Sequence, residues 1–148
     1  MSFLKKLSFN LGVLIVLISC SNTSVCAQSW QVDRNVAHVN AMKTCRHYEA
    51  GKLEVVSSSL AVIKVWDAFG NFAFTEPGRP IIFEIDGVPS STYATSRSSA
   101  DLVIASITSE ILSSLKRGNR LRITSEYSDE WMVFSLSGSS TALSAVGL

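Results

Sequence analysis

The chain has 148 residues, 47% of them hydrophobic and 17% charged, with a formal net charge of +1. That near-neutral balance excludes a nonspecific nucleic-acid binder, which needs a strongly basic surface. Three cysteines are too few for a disulfide-stapled miniature, while the length suits one ordinary hydrophobic core.

Residues 1–27 are ordered as an export signal. Lys5 and Lys6 precede an apolar run, Leu11 to Ile18, and the small-residue end Val25-Cys26-Ala27. The run is shorter than the roughly 20 apolar residues of a permanent membrane helix. Cleavage after Ala27 leaves residues 28–148 as a single domain. Losing two lysines and no acid takes the charge from +1 to −1. Leu17-Ile18-Ser19-Cys20 offers a second route, a lipobox ending at 19 with Cys20 lipidated. The expected location is periplasmic or secreted, or the outer membrane through that lipid. With Cys20 kept, Cys26 remains and has Cys45 as a possible disulfide partner; after cleavage at 27, Cys45 stands alone.

Along the rest, Trp30 and Val32 alternate with Gln31 and Asp33 as a half-buried strand. Asn35 to Glu49 has no clean period. Leu53–Val56 and Leu60–Trp66 are β-branched runs that predict paired strands. Gly70-Asn71 marks a turn among Trp66, Phe69, Phe72 and Phe74, an aromatic group expected mainly in the core. Glu76 to Pro80 reads as a loop, Pro80–Ile85 as an apolar strand closed by Asp86-Gly87, and Thr92–Ser96 as its antiparallel partner. After the short run Leu102–Ile104, Ile107, Ile111, Leu112 and Leu115 recur at helical spacing. Ser106, Thr108 or Ser109 is the candidate cap, and Lys116-Arg117-Gly118 the stop. Leu121–Ser125 and Trp131–Leu136 are strands turned at Ser128-Asp129, and Ser139 or Ser140 starts a short helix through Leu143. The 25 serines are spread through strand-like segments as solvent-facing positions. The expected fold is mainly β, a β-sandwich of two packed antiparallel sheets with one or two short helices near the C-terminus.

Chemistry is sparse. Cys45-Arg46-His47 with His38 offers metal ligands, but one Cys-x-His lacks the repeated spacing of a zinc site. Cys45 and His47 share a strand face as a nucleophile pair would, yet no third group or oxyanion turn accompanies them. Ser137-Gly138-Ser139 lacks the nucleophile-elbow pattern. Glu84 and Asp86 alternate on one face, more simply as solvated acids than as a hydrolytic pair. No catalytic, cofactor or metal site is expected. The densest basic patch is Lys116, Arg117, Arg120 and Arg122, suited to an anionic glycan, a lipid headgroup or an acidic partner. A helix C-terminus also favours such cations without any ligand.

The order of Ser29-Trp30-Gln31-Val32, the strand Pro80–Gly87 ending Ile85-Asp86-Gly87, Ile111 to Leu121, and Phe134 to Leu143 resembles the invasion-associated locus B family of exported bacterial proteins. The resemblance implies a periplasmic or outer-surface β-sandwich without known enzymatic activity, some of whose members are linked to host-cell invasion. Family members commonly carry cysteines after the Trp-containing strand and after the Ile-Asp-Gly strand. Here only Cys45 matches the first, and Ser90–Ser99 has none. The resulting expectation is a non-enzymatic envelope protein binding a protein or cell-envelope component, without nucleic acid and with membrane contact only through Cys20. The alternative is a secreted inhibitor or accessory subunit of an exported enzyme or secretion apparatus; a hydrolase using Cys45 and His47 is third.

Overall fold

Strand-forming runs separated by two-residue turns dominate the computed structural model, which describes residues 29–45, 48–67, 78–99, 102–125 and 130–148. In chain order the elements are β1 (Gln31–Asp33), β2 (Val36–Asn40), β3 (Lys43–Thr44), β4 (Tyr48–Ser57), β5 (Leu60–Asp67), β6 (Pro80–Ile85), β7 (Val88–Ser99) and β8 (Leu102–Ser106). Then follow α1 (Ser109–Arg117), β9 (Arg120–Ser125), β10 (Trp131–Ser135) and α2 (Ser139–Ala145). The fold is mainly β with two short helices near the C-terminus.

All pairings are antiparallel and join into one sheet, in the order β1-β2-β4-β5-β8-β7-β6-β9-β10-β3. Two stretches of chain carry this sheet around corners. The first half of β7 pairs with β6, from Val88 opposite Ile85 to Tyr93 opposite Pro80. Its second half, from Ala94 to Ser99, pairs with β8. The Thr92 hydroxyl donates to the Ser106 carbonyl and pins the bend. At the second corner, β2 pairs with β4 and β3 with β10. The two residues between them serve both sides: Ala41 N donates to Gly51 O and Met42 N to Val133 O, each at 2.7 Å. β3, at one end of the strand order, therefore continues directly from β2, the second strand from the other end.

Alternation places the core. In β6 and β9 every second residue is buried, so Ile81, Phe83, Ile85, Leu121, Ile123 and Ser125 face inward. From the other half, Leu53, Val55, Ile63, Val65 and Val103 join the same apolar cluster. Gly51 makes room for Met132 at the second corner, since a Cβ there would stand 2.7 Å from its sulfur.

The helices start where the sequence predicts, and α2 runs on past Leu143 to Ala145. Thr108 Oγ1 accepts from Ile111 N at 3.1 Å, capping α1, so Ile107 precedes the helix rather than belonging to it. Ile111 and Leu115 enter the core. The Ser139 hydroxyl, at the start of α2, donates to Leu115 O at 2.7 Å and ties the two helices together.

Two expectations about side chains fail. Trp30 is buried, its Nε1 donating to Ser135 O at 2.9 Å, but Val32 is 46% exposed. It lies on the outermost strand, which the core does not reach. Trp66 is 44% exposed, not core, because it shares the outward parity of Lys64 on β5. Phe69, Phe72, Phe74 and the turn at Ser128-Asp129 lie outside the described residues.

Candidate binding face on the β6–β9–β10 surface

The loop before β9 is positioned by Asp86. Asp86 and Gly87 form the two-residue β6–β7 turn with φ of +50° and +86°, the left-handed backbone that Asp-Gly favours. The Asp86 carboxylate then accepts from Arg120 N at 2.9 Å, from Asn119 N at 3.0 and 3.2 Å, and from Asn119 Nδ2 at 3.3 Å. Asp86 N returns a bond to Arg120 O at 3.0 Å. Behind this clamp Gly118 packs against Ile85 and Leu136; a Cβ would sit 2.5 Å from Ile85 Cγ2. The end of α1 and the start of β9 are thereby fixed to the end of β6.

From that anchor, strand register sets what the outer face presents. Glu84 on β6 lies opposite Arg122 on β9, and Ile82 opposite Thr124. Thr124 is in turn opposite Trp131 on β10. The Arg122 guanidinium stands 5.8 Å from the centroid of the Trp131 ring, within cation–π range. A groove of about 510 Å³ runs over these residues, and one of about 460 Å³ adjoins it between Glu84, Asp86, Arg120 and Arg122. Two carboxylates balance two guanidiniums in the second groove. Glu130 and Pro89 complete the lining of the first groove, while Ser125, on the inward side of β9, is buried.

The sequence-predicted basic patch is thus divided. Arg120 and Arg122 share the outer face of β9, among acids that the linear sequence does not reveal as neighbours. Lys116 and Arg117 belong to the last turn of α1. Arg117 donates Nε to Ser113 O at 3.3 Å and faces a separate concavity of about 270 Å³ beside Ile85 and Val88.

Of the metal and nucleophile candidates, the two described residues, His38 and Cys45, do not come together. His38 lies on the outer side of β2, opposite Glu54, whereas Cys45 is a free thiol buried in the core. His47, Cys20 and Cys26 lie outside the described residues, and so does any Cys45–Cys26 pairing. Among the described residues no group of three His, Cys, Asp or Glu is placed to hold a metal, and no helix is long and apolar enough to cross a membrane. Ser139 is occupied by its bond to Leu115.

The opposite outer face, on β2, β4 and β5, carries a charged row. Glu54 bridges Lys52 at 3.0 Å and Lys64 at 2.9 Å. Burial works against ionising Glu54, but the hydrogen bonds and charges of Lys64 and Lys52 outweigh it and hold the carboxyl below its usual range. Burial first, then the Lys52 charge, push the neighbouring His38 imidazole down, against the pull of Glu54 and Asp33.

Sequence reading missed Ile82, Thr124 and Trp131 as face-lining residues. The signal for Trp131 was hidden because Trp131-Met132-Val133-Phe134 is apolar throughout, so alternation could not say which ring looks outward. No family model, curated protein or solved structure matches this chain.

Proposed function

We propose that this chain is a non-enzymatic, exported envelope protein that binds a protein or cell-envelope component through the outer face of β6, β9 and β10. The observation that carries the reading is the side-by-side placement of Glu84, Arg122 and Trp131 on an open, clamped surface. Aromatic and arginine side chains held rigidly at a groove are what binding surfaces concentrate. The clamp at Asp86 supports a surface that is already organised before a partner arrives. Export rests on the order of basic, apolar and small segments in residues 1–27, with free cleavage or lipidation at Cys20 as its two outcomes. The motif-order resemblance to the invasion-associated locus B family agrees with that location and with a non-catalytic role. In this reading the two halves of the curled sheet work as the layers of a flattened sandwich, leaving two outer faces for contacts.

The test is capture of envelope components by the immobilised protein. Arg122→Glu abolishes specific capture, while Lys64→Glu on the opposite face leaves it intact. Equal capture by the wild type and Arg122→Glu would remove the reading.

A further inference from the structure

Independently of the binding face, we infer that His38, Glu54 and Lys52, on the outer side of β2 and β4, exchange ion-pair partners in response to protons. When His38 takes a proton from solvent, Glu54 turns to the imidazolium, and Lys52 is released to water as a mobile surface cation.

Strand register sets up the exchange. His38 lies directly opposite Gln31 on β1 and Glu54 on β4. Residues so paired have Cβ atoms about 4.5–5.5 Å apart. Although it is on the outward side of β2, His38 is only 9% exposed, and its Nδ1 has no hydrogen-bond partner among the described residues. An imidazolium carries an N–H donor on each ring nitrogen, and a buried donor left unpaired is costly. Protonation therefore creates a demand for an acceptor that the neutral arrangement does not meet.

Among the described residues, the carboxylates that act on the imidazole are Glu54 and Asp33, and the ammonium groups are Lys52 and Lys64. α2 and β10, which also pack against β2, carry no titratable side chain. Asp33 is exposed on the outermost strand, opposite Val36 rather than His38, and pulls on the imidazole less than Glu54 does. Glu54 is thus the nearer acceptor, but its oxygens already hold lysines. Lys64 Nζ stands 2.9 Å from both of them, and Lys52 Nζ 3.0 Å from Oε1 alone. Lys52 is therefore the less firmly held of the two, and its charge opposes protonation of His38 more than that of Lys64. A third cation in this row is relieved most simply when Lys52 leaves. Its side chain is 23% exposed, and ion pairs at such partly hydrated sites are weak. Glu54 remains ionised throughout, because its lysines hold the carboxyl below the usual carboxylate range.

The experiment is an NMR titration of the protein as purified, from about pH 7.5 to about pH 5. It follows the His38 ring, the Glu54 carboxyl carbon and the relaxation of the lysine ε-methylenes. His38 is expected to take its proton within this range, and the Lys52 ε-methylene to become at least twofold more mobile at the same midpoint. The Glu54 carboxyl carbon shifts with them, and Lys64 stays held. In His38→Gln, Lys52 stays held at every pH; in Asp33→Asn, its release persists. An imidazole still neutral at pH 5, a Lys52 that stays held while His38 titrates, or release of Lys64 in its place would each overturn the inference. So would release of Lys52 in His38→Gln, or its loss in Asp33→Asn, which would make Asp33 the partner of the imidazolium.

Discussion

Replacing Asp86 tests whether the clamp between the β6–β7 turn and the start of β9 is as strong as its geometry implies. The side chain accepts from two backbone N–H groups and one side-chain amide across a separation of more than thirty residues. Hydrogen bonds to a charged group contribute about 1.5–3 kcal/mol each, but these are exposed to water, so about 2 kcal/mol for the set is the reasonable sum. Asp86 also sits at φ +50°, where a residue without a short polar side chain loses about 1–2 kcal/mol. Asp86→Ala therefore loses both contributions, about 3 kcal/mol. Asp86→Gly has no left-handed penalty and loses about 2 kcal/mol, so it isolates the clamp. Asp86→Asn keeps the backbone preference and one acceptor and loses about 1 kcal/mol. Urea unfolding, read from midpoints at constant slope, gives the three values. A loss under 0.5 kcal/mol for Asp86→Gly would show that the carboxylate does not hold the β9 loop.

Other changes follow the same logic. Gly118→Ala forces a methyl to within 2.5 Å of Ile85 and 3.0 Å of Leu136, and destabilises by about 1–3 kcal/mol in thermal or urea melts. Ser139→Ala leaves the Leu115 carbonyl without its donor at a buried site and lowers stability by about 1–2 kcal/mol in the same assay. For His38, the folded imidazole titrates below its unfolded value of 6.5, so the unfolded chain binds the proton more readily. Stability then falls as pH drops through 6.5 and levels off once the folded group is also protonated. His38→Gln removes that decline in a stability–pH series. The Glu54 carboxyl, held low by two lysines, contributes stability above its unfolded value that is lost only at more acidic pH, and His38→Gln leaves that second loss in place.

Much of the framework is legible in the sequence where local chemistry decides it. Pro80–Ile85 and its Asp86-Gly87 turn are strand and turn at the expected residues, because alternation and left-handed turn preference are properties of neighbours. Thr108 is likewise one of the three caps expected for α1. What escapes is set by distant partners. The stretch Val36–Thr44 has no clean period because it turns a corner, and its inward side changes where Ala41 and Met42 hand the ladder from β4 to β10. β7 is twelve residues long rather than five, since its second half has β8 as a partner that Thr92–Ser96 does not announce. The sequence shows Arg120 and Arg122 as part of a basic cluster; only register shows Glu84 opposite Arg122 and Trp131 beneath it.

The most direct measurement is site-specific photo-crosslinking in living cells, with the photoreactive residue at Thr124 on the β6–β9–β10 face or at Val62 on the opposite one. Adducts to an envelope component are expected from Thr124, diminished by Arg122→Glu, with Val62 silent. Adducts from Val62 and none from Thr124 would contradict the account.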